Sequence, residues 1–247
     1  MACAEIPDWY LQRRIAVVDL RSATWREARV EVVPPGYAPD ECMRRLAKAG
    51  RVRRIGRGLF VVVDPVRETA AIAIASALFA GEPHYVTTDA ALAFHGAIDQ
   101  PIRQIAVVLS RIRRPIDVGQ VVVRPVTVRA DWLGTADAYD TTADGFKVRV
   151  ATREQAIVDA LAEPAWMVHG DLLAEVLATF TEDELERTAA SALARSTAAA
   201  QRLGYLLEDA GRPVTASLAG LRPVRAVRLR PGHKTKGPYS TRWRVYG

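Results

Sequence analysis

Cysteine is nearly missing from this chain: Cys3 and Cys42 are the only two in 247 residues, far apart and without CxxC spacing. That pattern supports neither a disulfide framework nor a zinc site. Long apolar runs are missing too. The longest, Ala70–Ala80, falls short of the ~20 residues that span a bilayer, so no membrane segment is expected. The first residues lack a charged start followed by an apolar stretch, so no signal peptide is expected and the cytoplasm is the expected compartment. Lysine is scarce, and the four histidines are scattered without ligand spacing. No GxxxxGK[ST] phosphate loop occurs, and Gly56-Arg57-Gly58 is too short to serve as one. His95 precedes Gly96, but no Ser or Cys nucleophile pairs with it by motif; a helix C-terminus suits it better. The strands around Asp117 lack the Glu-x-Lys that a restriction-type nuclease needs. These absences argue against an enzyme, so no catalytic residue, cofactor or metal is expected.

The bulk composition is ordinary. An apolar content of 49% and a charged content of 25% suit a soluble globular protein, and 247 residues suit two modest domains. A net charge of +6 and a pI near 9.6 favour an acidic partner, with nucleic acid the first candidate. Arginine carries most of that charge; it suits bidentate contacts to guanine and phosphate, although a GC-rich genome produces the same bias.

One short stretch is unusual. Between Arg44 and Arg57 lie seven basic residues and no acidic one. Pro39 suits a first helical position, Asp40 and Glu41 a first turn, and Gly50 a stop, so a helix is expected between them. Cys42, Met43, Leu46, Ala47 and Ala49 form its apolar face, leaving Arg44, Arg45 and Lys48 pointing away. Strands are expected over Arg51–Ile55 and Leu59–Val63, joined by a turn whose glycines tolerate positive φ. A helix followed by a basic hairpin is how a winged helix-turn-helix meets DNA, the helix in the major groove and the wing along phosphates. Arg44, Arg45 and Lys48 are the expected groove contacts. Arg51, Arg53, Arg54 and Arg57 complete the expected DNA surface, with the wing residues on phosphate. Asp40 and Glu41 would repel phosphate there unless they cap the helix or accept from cytosine.

Two further helices are expected ahead of this one, from Pro7-Asp8 to about Val18 and from the capping-box spacing Thr24-x-x-Glu27, with a turn at Pro34-Pro35-Gly36. Asp64-Pro65 reads as a boundary. The expected organisation is thus a DNA-binding domain over residues 1–65 and an α/β domain over 66–247. In the second domain Glu68–Ala80 reads as an alanine-rich helix and Thr88–His95 as a short helix closed by Gly96. Ile105–Leu109, Val121–Val123, Val126–Val128 and Phe146–Val150 read as strands. Helices capped at Thr152 and Thr181, another over Asp171–Phe180 and a last over Ser196–Ala210 end the pattern before Gly211 and Pro213. The expected fold class is α+β: a winged helix-turn-helix, then a mixed α/β domain ending in a helical bundle and a basic C-terminal strand. Asp159, beside Ile157, Val158 and Leu161, is expected to cap or to pair with an arginine such as Arg202. From Glu154 to Asp209 there are eleven acidic residues against three basic, whereas from Arg212 onward nine basic residues meet no acidic one. These are two solvated surfaces, or else the tail adds DNA contacts through Arg228, Arg230, Lys234 and Lys236.

Motifs spread along the chain resemble the AbiEi family of antitoxins, from abortive-infection type IV toxin–antitoxin pairs. The wing R-I-G-R-G-L-F-V-V (54–62), Y-V-T-T-D-A-A-L-A-F-H-G-A-I (85–98), T-R-E-Q-A-I-V-D-A-L (152–161), A-A-Q-R-L-G-Y-L-L-E-D-A-G (199–211) and the closing R-W-R-V-Y-G (242–247) carry the likeness through their order. The first fifty residues depart from the family's usual opening. The resemblance implies a winged-helix domain that represses its own operon at inverted repeats in double-stranded DNA. It also implies a second domain that neutralises a nucleotidyltransferase-like toxin, by direct contact or indirectly. A monomer, or a dimer formed on DNA, fits cooperative binding to such repeats. The alternative is a transcription factor whose second domain senses a ligand or dimerises, with no toxin partner.

Overall fold

The computed structural model describes residues 17–19, 39–50, 52–62, 71–118, 121–143, 146–231 and 237–247. The helix expected from Thr24, the turn at Pro34–Gly36, the boundary at Asp64-Pro65, and Arg51, Lys234 and Lys236 lie outside these residues.

Near the N-terminus a helix, α1 (Pro39–Lys48), leads into a hairpin of β2 (Val52–Gly56) and β3 (Leu59–Val62). Gly50, at φ +71°, ends the helix, and Gly58, at φ +70°, closes the hairpin turn. Ala49 falls in the turn after α1 and is exposed, so it is not part of the helix's apolar face as expected. Of the helix expected from Pro7-Asp8 to about Val18, all but Val17 and Val18 lies outside the described residues, and these two are not helical. Val17–Asp19 is a strand, β1, and pairs antiparallel with Val61, Phe60 and Leu59. Its two adjacent valines favour the pleated backbone, and β3 offers them a free edge.

The second region is built on a six-stranded mixed sheet of β4 (His84–Thr87), β5 (Gln104–Leu109), β6 (Ile116–Asp117), β7 (Val122–Thr127), β8 (Ala138–Ala143) and β9 (Phe146–Ala151). Their order across the sheet is β6-β7-β5-β4-β9-β8. The two runs expected on either side of Pro125 are one continuous strand. Backbone N–H groups of Val122 and Val128 donate to Arg103 and Leu109 on the β5 side. By alternation the ring nitrogen of Pro125 faces the other way, beyond the end of short β6, where no ladder bond is lost.

Helix α2 (Ala71–Leu78) packs on this sheet and also on β1 and β3. Burial is not confined to one side of it: Ile72 through Ala77 are all buried. Helix α3 (Thr88–Phe94) follows β4 directly, and α4 (Ala130–Thr135) follows β7. Helices α5 (Arg153–Ala162), α6 (Leu173–Ala178), α7 (Glu182–Arg195) and α8 (Thr197–Asp209) then pack into a bundle beside the sheet. The stretch expected as a helix from Asp171 opens with a 3-10 turn, Gly170–Leu172, before α6 begins. After the short α9 (Ala216–Ala219) come three two-residue strands, β10 (Val227–Arg228), β11 (Tyr239–Ser240) and β12 (Val245–Tyr246), with β12 central. One continuous hydrophobic core runs from Ile55 and Leu59 of the hairpin through the sheet and bundle to Trp243 and Val245. The architecture is α+β.

Candidate nucleic-acid interface

Met43 anchors α1, with only 1% of its surface exposed, and this leaves Arg44, Arg45 and Lys48 on the solvent side. Glu41 sits one turn earlier. Its carboxylate pairs with Arg44 Nη2 at 2.5 Å and with Arg45 Nε at 3.2 Å, the i,i+3 and i,i+4 geometry that supports a helix. It thus tempers part of the positive charge while fixing where two guanidiniums lie. Lys48 occupies the last turn, exposed.

The hairpin divides its arginines. Arg57 stands exposed in the turn between Gly56 and Gly58, and Arg54 Nε donates back to the Gly56 carbonyl at 3.1 Å. The Arg53 guanidinium instead reaches the backbone carbonyl of Val118, just past β6 in the second region. Of the residues expected on DNA, the structure therefore groups Arg44, Arg45 and Lys48 on one helix face and Arg54 and Arg57 at the hairpin tip. Arg53 also works as a strut. Arg228 and Arg230 lie elsewhere, on the C-terminal strand unit: Arg228 is exposed, its carbonyl accepting from Arg202 Nε at 2.8 Å, and half-buried Arg230 lines a cleft with Leu161, Pro164, Met167 and Leu173.

Sequence reasoning missed a second constellation, at the end of β4. Thr87, Thr88 and Asp89 are all buried there. Thr87 Oγ1 donates to Asp159 Oδ2 at 2.7 Å, Tyr85 Oη donates to the same oxygen at 3.1 Å, and Gln155 Nε2 donates to Asp159 Oδ1 at 2.9 Å. Burial nonetheless dominates, and it pushes the Asp159 carboxyl up to about 6. Arg202, the expected partner of Asp159, goes elsewhere: its Nη1 donates to the carbonyls of Leu161 at 2.6 Å and Ala162 at 3.4 Å. The next carboxylate, Asp89, accepts from the backbone N–H groups of Val168 and His169, both at 2.9 Å, and from His169 Nδ1 at 2.8 Å.

Between these two anchors Thr88 is held at φ +50°. The left-handed region costs a non-glycine residue roughly 1–2 kcal/mol, and fixing both neighbours keeps it there. His95, at the end of α3, donates through Nε2 to the Ala151 carbonyl at 2.8 Å, tying the helix to β9. The hydroxyls, the carboxylates and the Gln155 amide of this constellation bond to protein partners, so the arrangement holds α3, α5 and the 3-10 segment on the sheet. A signal was available: T-T-D directly after an apolar strand places two hydroxyls and a first-turn carboxylate at one junction.

The residues of this second constellation fall inside a span, 85–209, that matches the family model of the AbiEi antitoxin C-terminal domain. The chain belongs to the AbiEi antitoxin family. The family is regulatory and non-enzymatic, in keeping with polar groups that serve packing. Among solved structures, this AbiEi antitoxin is similar to the RV2827C protein from Mycobacterium tuberculosis, with a TM-score of 0.66 and 20% identity. The likeness covers 99% of this chain and 93% of that one, and at such identity it speaks for the fold alone. No curated protein sequence matches the chain. Among the described residues of this antitoxin, no helix is long and apolar enough to cross a membrane.

Proposed function

We propose that this AbiEi antitoxin represses its own operon by binding inverted repeats in its promoter, and neutralises a nucleotidyltransferase-like toxin. Residues 1–65 act as a winged helix-turn-helix, and residues 66–247 carry the antitoxin function. The observation that supports the DNA reading best is that Arg44, Arg45 and Lys48 on α1 stand exposed directly before a hairpin tipped by Arg57. Helix and wing are basic together, as groove reading and phosphate contact require. Two monomers meeting on adjacent repeats in the cytoplasm would satisfy the symmetry of the site. No cofactor takes part.

The test is a gel-shift titration on the upstream region at two salt concentrations, with Arg44→Ala and Arg57→Ala alongside. Sequence-selective binding weakened by both changes is expected. For Arg57→Ala the loss is uniform across sequences and flattens the salt slope by about one unit. Failure of the unaltered protein to bind at low salt would overturn the repressor reading. For the toxin arm, co-expression with a neighbouring nucleotidyltransferase gene is expected to restore growth, and failure to rescue would remove that partner.

A further inference from the structure

The connection from β5 to β6 reads Ser110-Arg111-Ile112-Arg113-Arg114-Pro115, and all of it is exposed, Ile112 to 86%. Two independent tethers hold this loop beside the hairpin. From the hairpin side, the Arg53 guanidinium donates to the Val118 carbonyl beyond β6. From the helix side, Arg113 pairs with Glu82, whose backbone N–H donates to the Phe79 carbonyl at 2.8 Å. One residue earlier, Leu78 packs against the hairpin turn, 3.7 Å from where a β-carbon on Gly56 would stand. The start of the loop is pinned as well, since Thr127 Oγ1 donates to the Arg111 carbonyl at 3.3 Å. The loop is therefore tethered, through Glu82 and through the segment at Val118, to elements that touch the hairpin carrying Arg54 and Arg57. The acidic residues on these elements are Glu82, already paired with Arg113, and Asp117 in β6.

We infer that residues 111–114 form a second DNA-contacting element, with Arg111 and Arg114 on phosphates adjoining those met by Arg54 and Arg57, and Ile112 against the sugar edges of a groove. This rests on the DNA reading above. A lone exposed isoleucine is ordinary. One flanked by arginines beside a basic hairpin has the composition of inserts that press an apolar side chain into a minor groove. The partner is duplex DNA because the basic loop continues a surface already suited to phosphate, and a strut from the hairpin itself fixes its distance. It also gives Arg53 a purpose that phosphate contact does not: holding the wing and the loop in register on one duplex.

The experiment is a salt titration on one operator duplex, comparing the unaltered protein, an Arg111→Ala/Arg114→Ala double variant, the matching double lysine variant, and Ile112→Ser. All substituted side chains are exposed, and matching thermal melts would verify folding. The double alanine variant is expected to lower the slope of log affinity against log salt by about two units, and the lysine variant to restore it. Ile112→Ser is expected to weaken binding without moving the slope. If the unaltered protein binds the operator while the double alanine variant keeps both affinity and slope, the loop inference falls and the hairpin reading stands. If the unaltered protein binds no duplex, both fall. Unchanged affinity in Ile112→Ser would overturn the groove contact, and stronger competition by an RNA duplex of equal length would overturn the choice of DNA.

Discussion

Gly204 lies against the indole of Trp243, so close that a β-carbon at position 204 would stand 2.4 Å from ring atom Cζ3. The ring is 99% buried in effect, with 1% of the residue exposed, and its Nε1 donates to Glu208 Oε2 at 2.8 Å. Gln201 Nε2 adds a 2.7 Å bond to the Trp243 carbonyl. The C-terminal strand unit is thus fastened to α8 through one face of that helix. Gly204→Ala is expected to destabilise the protein by about 1–3 kcal/mol or more, read as a lower denaturant midpoint. Introduced into a Trp243→Ala background, the same change should cost clearly less, because the clash is gone. Equal costs in both backgrounds would show that the contact does not set the penalty.

Arg202 satisfies carbonyls from two directions, Leu161 and Ala162 at the end of α5 and Arg228 at β10. Burial lowers its pKa from the ordinary arginine value, but the guanidinium stays charged. Arg202→Met should cost roughly 1–3 kcal/mol by orphaning these acceptors. It should also speed proteolytic cleavage between 225 and 231. Arg202→Lys should not restore protection, since one ammonium lacks the planar fork that reaches both sides. Full rescue by lysine would refute this account.

Asp159 makes stability depend on pH in a direction opposite to most carboxylates. Its folded value of about 6 lies above the ordinary unfolded value of about 3.9, so the folded state binds the proton more tightly. Its contribution is fully present below about pH 4 and is lost as pH rises through 6, amounting to roughly 3 kcal/mol. Glu184 and Glu186 are shifted down by hydrogen bonds from Thr181 and Ser217, and they act in the other direction at lower pH. The difference in stability between the protein and Asp159→Asn isolates the effect. That difference should change between pH 4 and 6.5 and be flat below pH 3.5. A difference independent of pH would mean the carboxyl titrates normally.

At the start of α7, Thr181 Oγ1 accepts from the Glu184 backbone N–H at 3.2 Å, while Glu184 Oε2 accepts from the Thr181 N–H at 2.7 Å. Thr181→Ala is expected to cost about 1 kcal/mol, and Thr181→Ser to cost far less. Urea unfolding would measure both, and equal losses would argue that the methyl group, not the cap, is what counts.

These relationships differ in how visible they are along the chain. The caps at Thr152 and Thr181, and the stops at Gly50, Gly96 and Gly211, could be read directly and stand as expected. So could the hairpin and the order of motifs that marks the family. Each of these depends on groups a few residues apart, where backbone geometry allows few alternatives. Most of what holds the antitoxin together spans longer distances. Thr87 and Asp159 are 72 residues apart, and Arg202 and Leu161 are 41 apart. Val17–Val18 carries little periodicity, and only the open edge of β3 makes it a strand. Pro125 breaks a strand by local rules, yet the order β6-β7-β5 turns its ring toward an unpaired edge. The α+β class and the basic helix-and-hairpin surface were therefore legible in composition and local spacing, and the family in the resemblance carried by the order of motifs. Sheet order, the partners of the buried carboxylates, and the strut from Arg53 to Val118 were not. Those depend on which distant segments share a layer, and a pattern of near neighbours carries no record of that choice.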